Sequence, residues 1–135
     1  MDIAPTATPS LNRLPAITRT DAGPYFLSYA GIPPGPNQRL HWAVRARLVA
    51  AVKLELAWQA RAVYRGPVWA HTSVALTFFY RQVPMDRDNL YGCAKPIIDA
   101  FISIFYPDDA EQYVTLSLTQ LKGVRHVDIV IKKLA

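Results

Sequence analysis

From His41 to Val63 the chain runs for 23 residues, HWAVRARLVAAVKLELAWQARAV, without a glycine or a proline. No other stretch narrows the possible folds as much. Alanine, leucine and arginine dominate it, and all three favour a helix. At 3.6 residues per turn, Leu48, Val49, Val52, Leu56, Ala60 and Val63 fall on one stripe about 120° wide. Arg47 and Arg61 lie opposite. Arg45 falls inside the stripe, near the helix start, where its head can reach water. The RGPV that follows ends the helix.

Strand patterns surround this helix. GPYFLSYAGIPP reads as a short aromatic strand closed by Pro33 and Pro34, which cannot continue a central ladder, and GPNQRL as a turn. In TSVALTFFYRQ, residues 72 to 82, Val74, Leu76, Phe78 and Tyr80 alternate onto one face. A second helix is expected from about Asn89 to Phe105. Pro96 should kink or restart it, because proline removes an N–H and crowds the carbonyl four residues back, at Gly92. YVTLSLTQL, Gly123 and RHVDIVIKKL read as a hairpin of two alternating strands. The order β-α-β-α-β-β predicts an α+β fold, a small mixed sheet packed against two helices. Residues 1–22 mix Pro, Thr and Ala without a period and are expected to form a mobile arm. Residues 23–135 then make one domain, as the length suggests.

Lysine and arginine outnumber the acids by 15 to 10, and the isoelectric point lies near 9.6. This balance favours anionic partners, nucleic acid first. No apolar run approaches the roughly 20 residues of a membrane helix, and no signal-peptide pattern opens the chain. The single cysteine, Cys93, excludes an internal disulfide and suits a reducing compartment, so a cytoplasmic location is expected.

The stretch MDRDNLYGCAKPIIDAF, residues 85 to 101, concentrates charge in this otherwise apolar chain. In an extended segment Asp86 and Asp88 project to the same face, where their carboxylates can converge on one cation. The plain alternatives are helix capping by Asp88 or Asn89 and ordinary turn chemistry. Capping explains one of these residues but not two acids in alternation. A calcium loop counted from Asp86 fails, because its sixth residue is Tyr91 rather than glycine and its twelfth is Ile97 rather than glutamate. Downstream, YPDDAEQ supplies Asp108 and Asp109 in a loop that could return toward Asp86 and Asp88. Three carboxylates with positions left for water suit Mg²⁺, which can activate water and neutralise a phosphodiester. An exposed polar loop is the alternative.

Asp88, Gly92, Lys95 and Asp99 share a helix face, but a continuous helix separates Asp88 from Asp99 by about 16 Å, too far to share one ion. Lys95 and Asp99 either form a surface pair worth about 0.3–0.5 kcal/mol or place an ammonium near phosphate charge. Cys93, His41, His71 and His126 lack zinc spacing. Cys93 reads as a small packed residue and His126 as an exposed strand residue. No glycine-rich phosphate loop follows a strand.

These pieces in this order resemble the RusA-type Holliday junction resolvases, a family of crossover junction endodeoxyribonucleases. MDRDNL, KPIIDAF, PDD and KGVRHVDIVI carry the resemblance. Ahead of them, IPPGPNQRLHW is similar to the family's Pro-Pro segment with its following asparagine. About residues 25 to 133 are covered. The resemblance implies a homodimeric endonuclease, dependent on Mg²⁺ (with Mn²⁺ as a substitute), that places paired nicks in four-way DNA junctions during recombination and repair. It implies that Asp86, Asp88 and Asp109 bind the metal and that Lys95 joins them in catalysis, with Asp99, Asp108 and Asn89 in support. Lys95 lies six residues after Asn89, where the family pattern has three, a shift of about one helical turn that keeps its facing. Asn37, Arg39, Arg47, Lys53, Arg61, Arg65 and Arg81 are candidates for DNA contact, mostly to backbone phosphates. A two-fold dimer suits the symmetry of a junction. Two other readings stay open: a structure-selective DNA-binding protein that does not cut, and a small scaffold with capping acids.

Overall fold

A computed structural model describes residues 22–134; the arm expected over residues 1–22 lies almost wholly outside the described residues. Six elements follow one another: β1 Tyr25–Ala30, α1 Trp42–Val63, β2 Thr72–Tyr80, α2 Arg87–Ala100, β3 Val114–Lys122 and β4 His126–Lys133. They form a small mixed α+β fold, with one four-stranded sheet in the order β1-β4-β2-β3 and two helices. No helix among the described residues is long and apolar enough to cross a membrane.

The expected hairpin of β3 and β4 does not form. β2 lies between them, parallel to β3 from Thr72↔Val114 to Tyr80↔Lys122 and antiparallel to β4. Alternation shows that a strand is half-buried but not which strand it pairs with. Crossing one strand means covering about 9.6 Å, and Gly123 to Arg125 can span that when extended. The Gly123 N–H bonds the Tyr80 carbonyl at 2.8 Å, fixing the link over the end of β2. β2 and β4 are the two interior strands, and their inward side chains, Val74, Leu76 and Phe78 with Val127, Ile129 and Ile131, are all fully buried.

Inward residues of the strands (Tyr25, Leu27, Val127, Ile129, Ile131 and Val114 among them) form one core with the helices. The opposite sheet face stays open, with Phe26, Ser28, Thr115, Ser117 and Asp128 exposed. α1 packs against α2 and β1. Its buried ridge is narrower than the sequence stripe: Val52, Leu56 and Ala60 are buried, whereas Leu48 and Val63 are exposed. Contact runs along one four-residue ridge, so positions at the ends and flanks of the stripe clear the neighbouring elements. Gln59 on this helix reaches the edge strand, accepting from Ser28 N at 3.2 Å and donating to Ser28 O at 2.8 Å. The amide thereby occupies edge groups that could template pairing with another chain.

α2 ends five residues earlier than expected. Ser103 adopts φ +72°, a left-handed conformation that no helix continues through. Residues 101–106 instead fold into a buried turn, where Ser103 N bonds Tyr106 O at 2.7 Å. The Tyr106 hydroxyl donates to the Ile98 carbonyl at 2.6 Å, satisfying one of the free acceptors at the helix end. Pro96 neither stops nor restarts the helix, which is continuous from Arg87 to Ala100.

Gly92 has a second role. A Cβ there would lie 2.3 Å from Pro36 Cδ, so the missing side chain lets the 33–38 turn rest on α2. Arg45 holds the same turn from the other side, donating to the Gly35 carbonyl at 2.8 Å and to the Gln38 carbonyl. Its head is thus bound to backbone and not free in water. Alanine at a mid-helix glycine ordinarily stabilises by about 0.8–1 kcal/mol. At position 92 overpacking, costing about 1–3 kcal/mol, should outweigh that gain. Gly92→Ala is therefore expected to lower the urea midpoint; a higher midpoint would contradict the packing described.

Candidate active site

β1, β2 and β3 point the same way and β4 runs against them. The C-terminal ends of three strands therefore share one sheet edge, the usual location of a ligand crevice beside parallel strands. Three connections meet there: the 31–41 segment, the 81–86 segment and the Gly123–Arg125 link. They carry Asn37, Arg39, Arg81 and Asp86, all exposed.

Asp86 caps α2, its Oδ1 accepting from Asn89 N at 2.8 Å. The helix therefore starts at Arg87, and Asp88 stands in its first turn. This replaces the extended i,i+2 geometry expected from sequence. The capping role, expected for Asp88 or Asn89, falls to Asp86. Asp88 is exposed and gains from the positive end of the helix dipole. It lines a hollow of about 440 Å³ with Tyr91 of α2 and Leu116 and Leu118 of β3. Gln120 of β3 positions this corner. Met85 N donates to its Oε1 at 2.8 Å, and its Nε2 donates to Met85 O at 2.9 Å. Sequence reading missed this clamp, because an isolated glutamine on a strand carries no signal of a distant partner.

Asn89 turns inward. Its Oδ1 is buried without a hydrogen-bond partner among the described residues, and a Cβ at Gly35 would come within 2.4 Å of it. The structure places it against the 33–38 turn. Cys93 is buried beside it, with Sγ 3.6 Å from Met85 Sδ. Burial raises its pKa, so the thiol is a packing group rather than a nucleophile.

Two turns along α2, a second cluster gathers. Lys95 Nζ donates to Asp99 Oδ1 at 2.7 Å and, from the same ammonium, to Asp109 Oδ2. Lys95 thus faces the PDD loop. Asp108 makes no pair with Lys95: its Oδ1 accepts from the Asp109 N–H at 2.8 Å and shapes the loop. Asp109 returns to the level of Lys95 and not to that of Asp86. β3 starts beside the start of β2 (Thr72↔Val114), so the loop preceding it approaches the far half of α2. Among the described residues, no three His, Cys, Asp or Glu side chains are grouped to hold a metal.

The donor chemistry nevertheless suits a hard cation. Among the described residues, Asp86 Oδ2 and both Asp88 oxygens have no hydrogen bond. Mg²⁺ commonly takes one or two carboxylates and keeps its waters. Asp86 and Asp88 at the head of α2 offer carboxylates to such an ion, whereas Asp109 stands apart from them beside Lys95.

Electrostatics define the state of Lys95. The hydrogen bonds it donates to Asp109 and then to Asp99 raise its pKa, with burial opposing. The Lys95 hydrogen bond in turn holds the Asp109 carboxyl below its usual range. A raised lysine contributes stability below its ordinary value, lost only as pH climbs through the higher folded value. A depressed aspartate contributes above its ordinary value, lost as pH falls through the lower folded one. The pair therefore stays charged from about pH 4 to about pH 10. Lys95 is a fixed cation across that window and cannot serve as a general base. A pH titration of Lys95 followed by NMR should show no deprotonation below about pH 10; a midpoint near neutrality would overturn this assignment.

Of the other candidates, Arg47, Lys53 and Arg61 lie exposed on α1 and Arg65 just beyond it. His71 ties the exit of the 107–113 loop to β3 through Gln112 O at 3.1 Å and Thr115 Oγ1 at 2.6 Å. His126, expected to be exposed, is half-buried and stacks on Phe79 at 4.2 Å. It also pairs with Asp128 at 3.2 Å, which accounts for its place on the open sheet face. A scan against protein-family models finds no match to this chain, and a search of curated proteins also finds none.

Proposed function

We propose that this protein is a Mg²⁺-dependent endonuclease that acts as a homodimer on four-way DNA junctions. Lys95 carries the proposal: one ammonium joins the KPIIDAF helix to the second aspartate of PDD, two motifs that are separate in the sequence. Four acids, Asp86, Asp88, Asp99 and Asp109, thereby lie on or against one helix of an otherwise basic chain. Asp86 and Asp88 would hold the ion, which when bound supplies a Lewis acid beside the phosphodiester and a more acidic water. Asp109, beside Lys95 and not at the level of Asp86, would act on the phosphodiester from that side. Lys95 would offset charge that develops on phosphate oxygens in the transition state. Asp99 keeps Lys95 directed, and Asp108 shapes the loop that presents Asp109. Asn37, Arg39, Arg47, Lys53 and Arg81 would meet backbone phosphates, which position DNA without reading sequence. Manganese, with similar ligand preferences, would substitute.

One observation favours a second reading, a junction-binding protein without cleavage. Asp86 already serves as a cap, and Asp99 and Asp109 as ion-pair partners, so three of the four acids have structural employment. Gel shift of a synthetic four-way junction in EDTA, paired with a nicking assay in Mg²⁺, separates the two. The nuclease binds in the first and cuts in the second. Binding without cutting would establish the alternative, and neither would leave only a scaffold.

A further inference from the structure

The solvent face of α1 combines features that the acidic site does not use. Trp58 and Leu54 are large apolar side chains that are nevertheless 70% and 62% exposed. Arg61 stands one turn beyond Trp58. Arg65 folds back to donate from Nε to the Arg61 carbonyl at 3.1 Å, which holds the two guanidinium groups on the same end of the helix. Neither has a carboxylate partner among the described residues. Adjacent like charges without a counter-ion raise the local potential and favour an external anion.

Two hollows flank this arginine pair. One, of about 490 Å³, is lined by Leu54, Ala57 and Trp58 together with both arginines. The other, of about 410 Å³, is lined by the same arginines with Gly66 and Ser103. Leu54 and Ala57 also border a third groove, between the helices, which contains Lys53 and reaches Asp99. An apolar path thus runs from the arginine pair, past Trp58, to the partner of Lys95.

We infer that this face is a platform for an unpaired nucleic-acid segment, with Trp58 stacking on a base and Arg61 and Arg65 holding the flanking phosphates, an inference that takes its ligand class from the function proposed above. An exposed indole accepts the face of any base, whereas bases inside a duplex are covered by their neighbours. Charge selects among the possible occupants. A second copy docked here about a two-fold axis would bring like arginines together. The path toward Asp99 would let a strand released at a junction lie beside the cutting site.

Fluorescence anisotropy in EDTA tests the platform, using a short labelled oligothymidylate and a blunt duplex of equal length. Trp58→Ala should weaken oligothymidylate binding about tenfold and duplex binding less than twofold, while Trp58→Phe retains most of the affinity. The Arg61→Ala/Arg65→Ala protein should weaken both and reduce the salt slope by about one to two. Trp58 is exposed, so its variants should fold, as circular dichroism would verify. The platform is overturned if Trp58→Ala binds both probes normally or loses both equally. It is overturned too if the substitution dissociates a dimer in sedimentation, or if polyglutamate of matched charge competes better than oligothymidylate. Junction cutting by the wild-type protein, with oligothymidylate binding indifferent to Trp58, would refute the platform and spare the nuclease. Trp58-dependent binding with no cutting would do the reverse.

Discussion

Asp88→Asn protein should nick a four-way junction in Mg²⁺ at least about a hundredfold more slowly than wild type, because losing a few kcal/mol of metal-derived stabilisation costs a factor of ten per 1.36 kcal/mol. Its binding to the same junction in EDTA should be equal or tighter, since the change removes negative charge near phosphate. The fold should survive. Asp88 is exposed, makes no hydrogen bond among the described residues and stands in the first turn of α2, where the lost dipole interaction costs about 0.3–1 kcal/mol. Asp86 provides an internal control. Asparagine caps a helix about as well as aspartate, so Asp86→Asn keeps the Asn89 N–H satisfied while removing the charge. Asp86→Ala removes both and should cost about 1 kcal/mol of stability in addition. Nicking would be measured on a labelled junction at saturating Mg²⁺. Full activity in Asp88→Asn would remove this residue from the metal site.

Lys95→Met should lower the nicking rate by about 10²–10³, the usual loss when one preorganised charge is taken from a transition state, with junction affinity within about twofold. Methionine keeps the unbranched stem but leaves Asp99 and Asp109 without the ammonium that both now contact. The Asp109 carboxyl should then titrate higher, because its hydrogen bond from Lys95 is the main cause of its depressed value. The acid limb of the rate profile should move upward in pH with it. That shift separates a role at the reacting centre from a merely structural one. A variant that cuts normally would reduce Lys95 to a tether for the loop.

Local pattern made the elements of this chain readable, whereas their pairing was not. The Gly- and Pro-free run fixed α1 to within one residue at its start, because its signal is continuous and long. β2 was equally clear from alternating Val74, Leu76 and Phe78. The misread hairpin has a physical cause: a three-residue link can join neighbouring strands or step over one, and both give the same periodicity. The end of α2 was hidden by Phe101, Ile104 and Phe105, which are apolar at helical spacing yet buried in a turn. In the site, the i,i+4 pairing of Lys95 with Asp99 follows directly from helix geometry. The approach of Asp109 to Lys95 does not, because it depends on β3 being parallel to β2. Gln120 as the clamp and Gly92 as the seat for Pro36 depend on contacts between residues distant in sequence, whereas Asp86 as the cap is a local contact, three residues from Asn89. The first two involve residue types that occur in any strand or helix.

Mapping the cuts in a synthetic four-way junction bears most directly on the proposed chemistry. Each strand is labelled in turn, and wild-type protein is incubated with Mg²⁺ or with EDTA. Two nicks in strands of like polarity, placed symmetrically about the branch point, present in Mg²⁺ and absent in EDTA, are the predicted result. An intact junction in Mg²⁺, under conditions where gel shift shows it fully bound, would contradict the nuclease assignment.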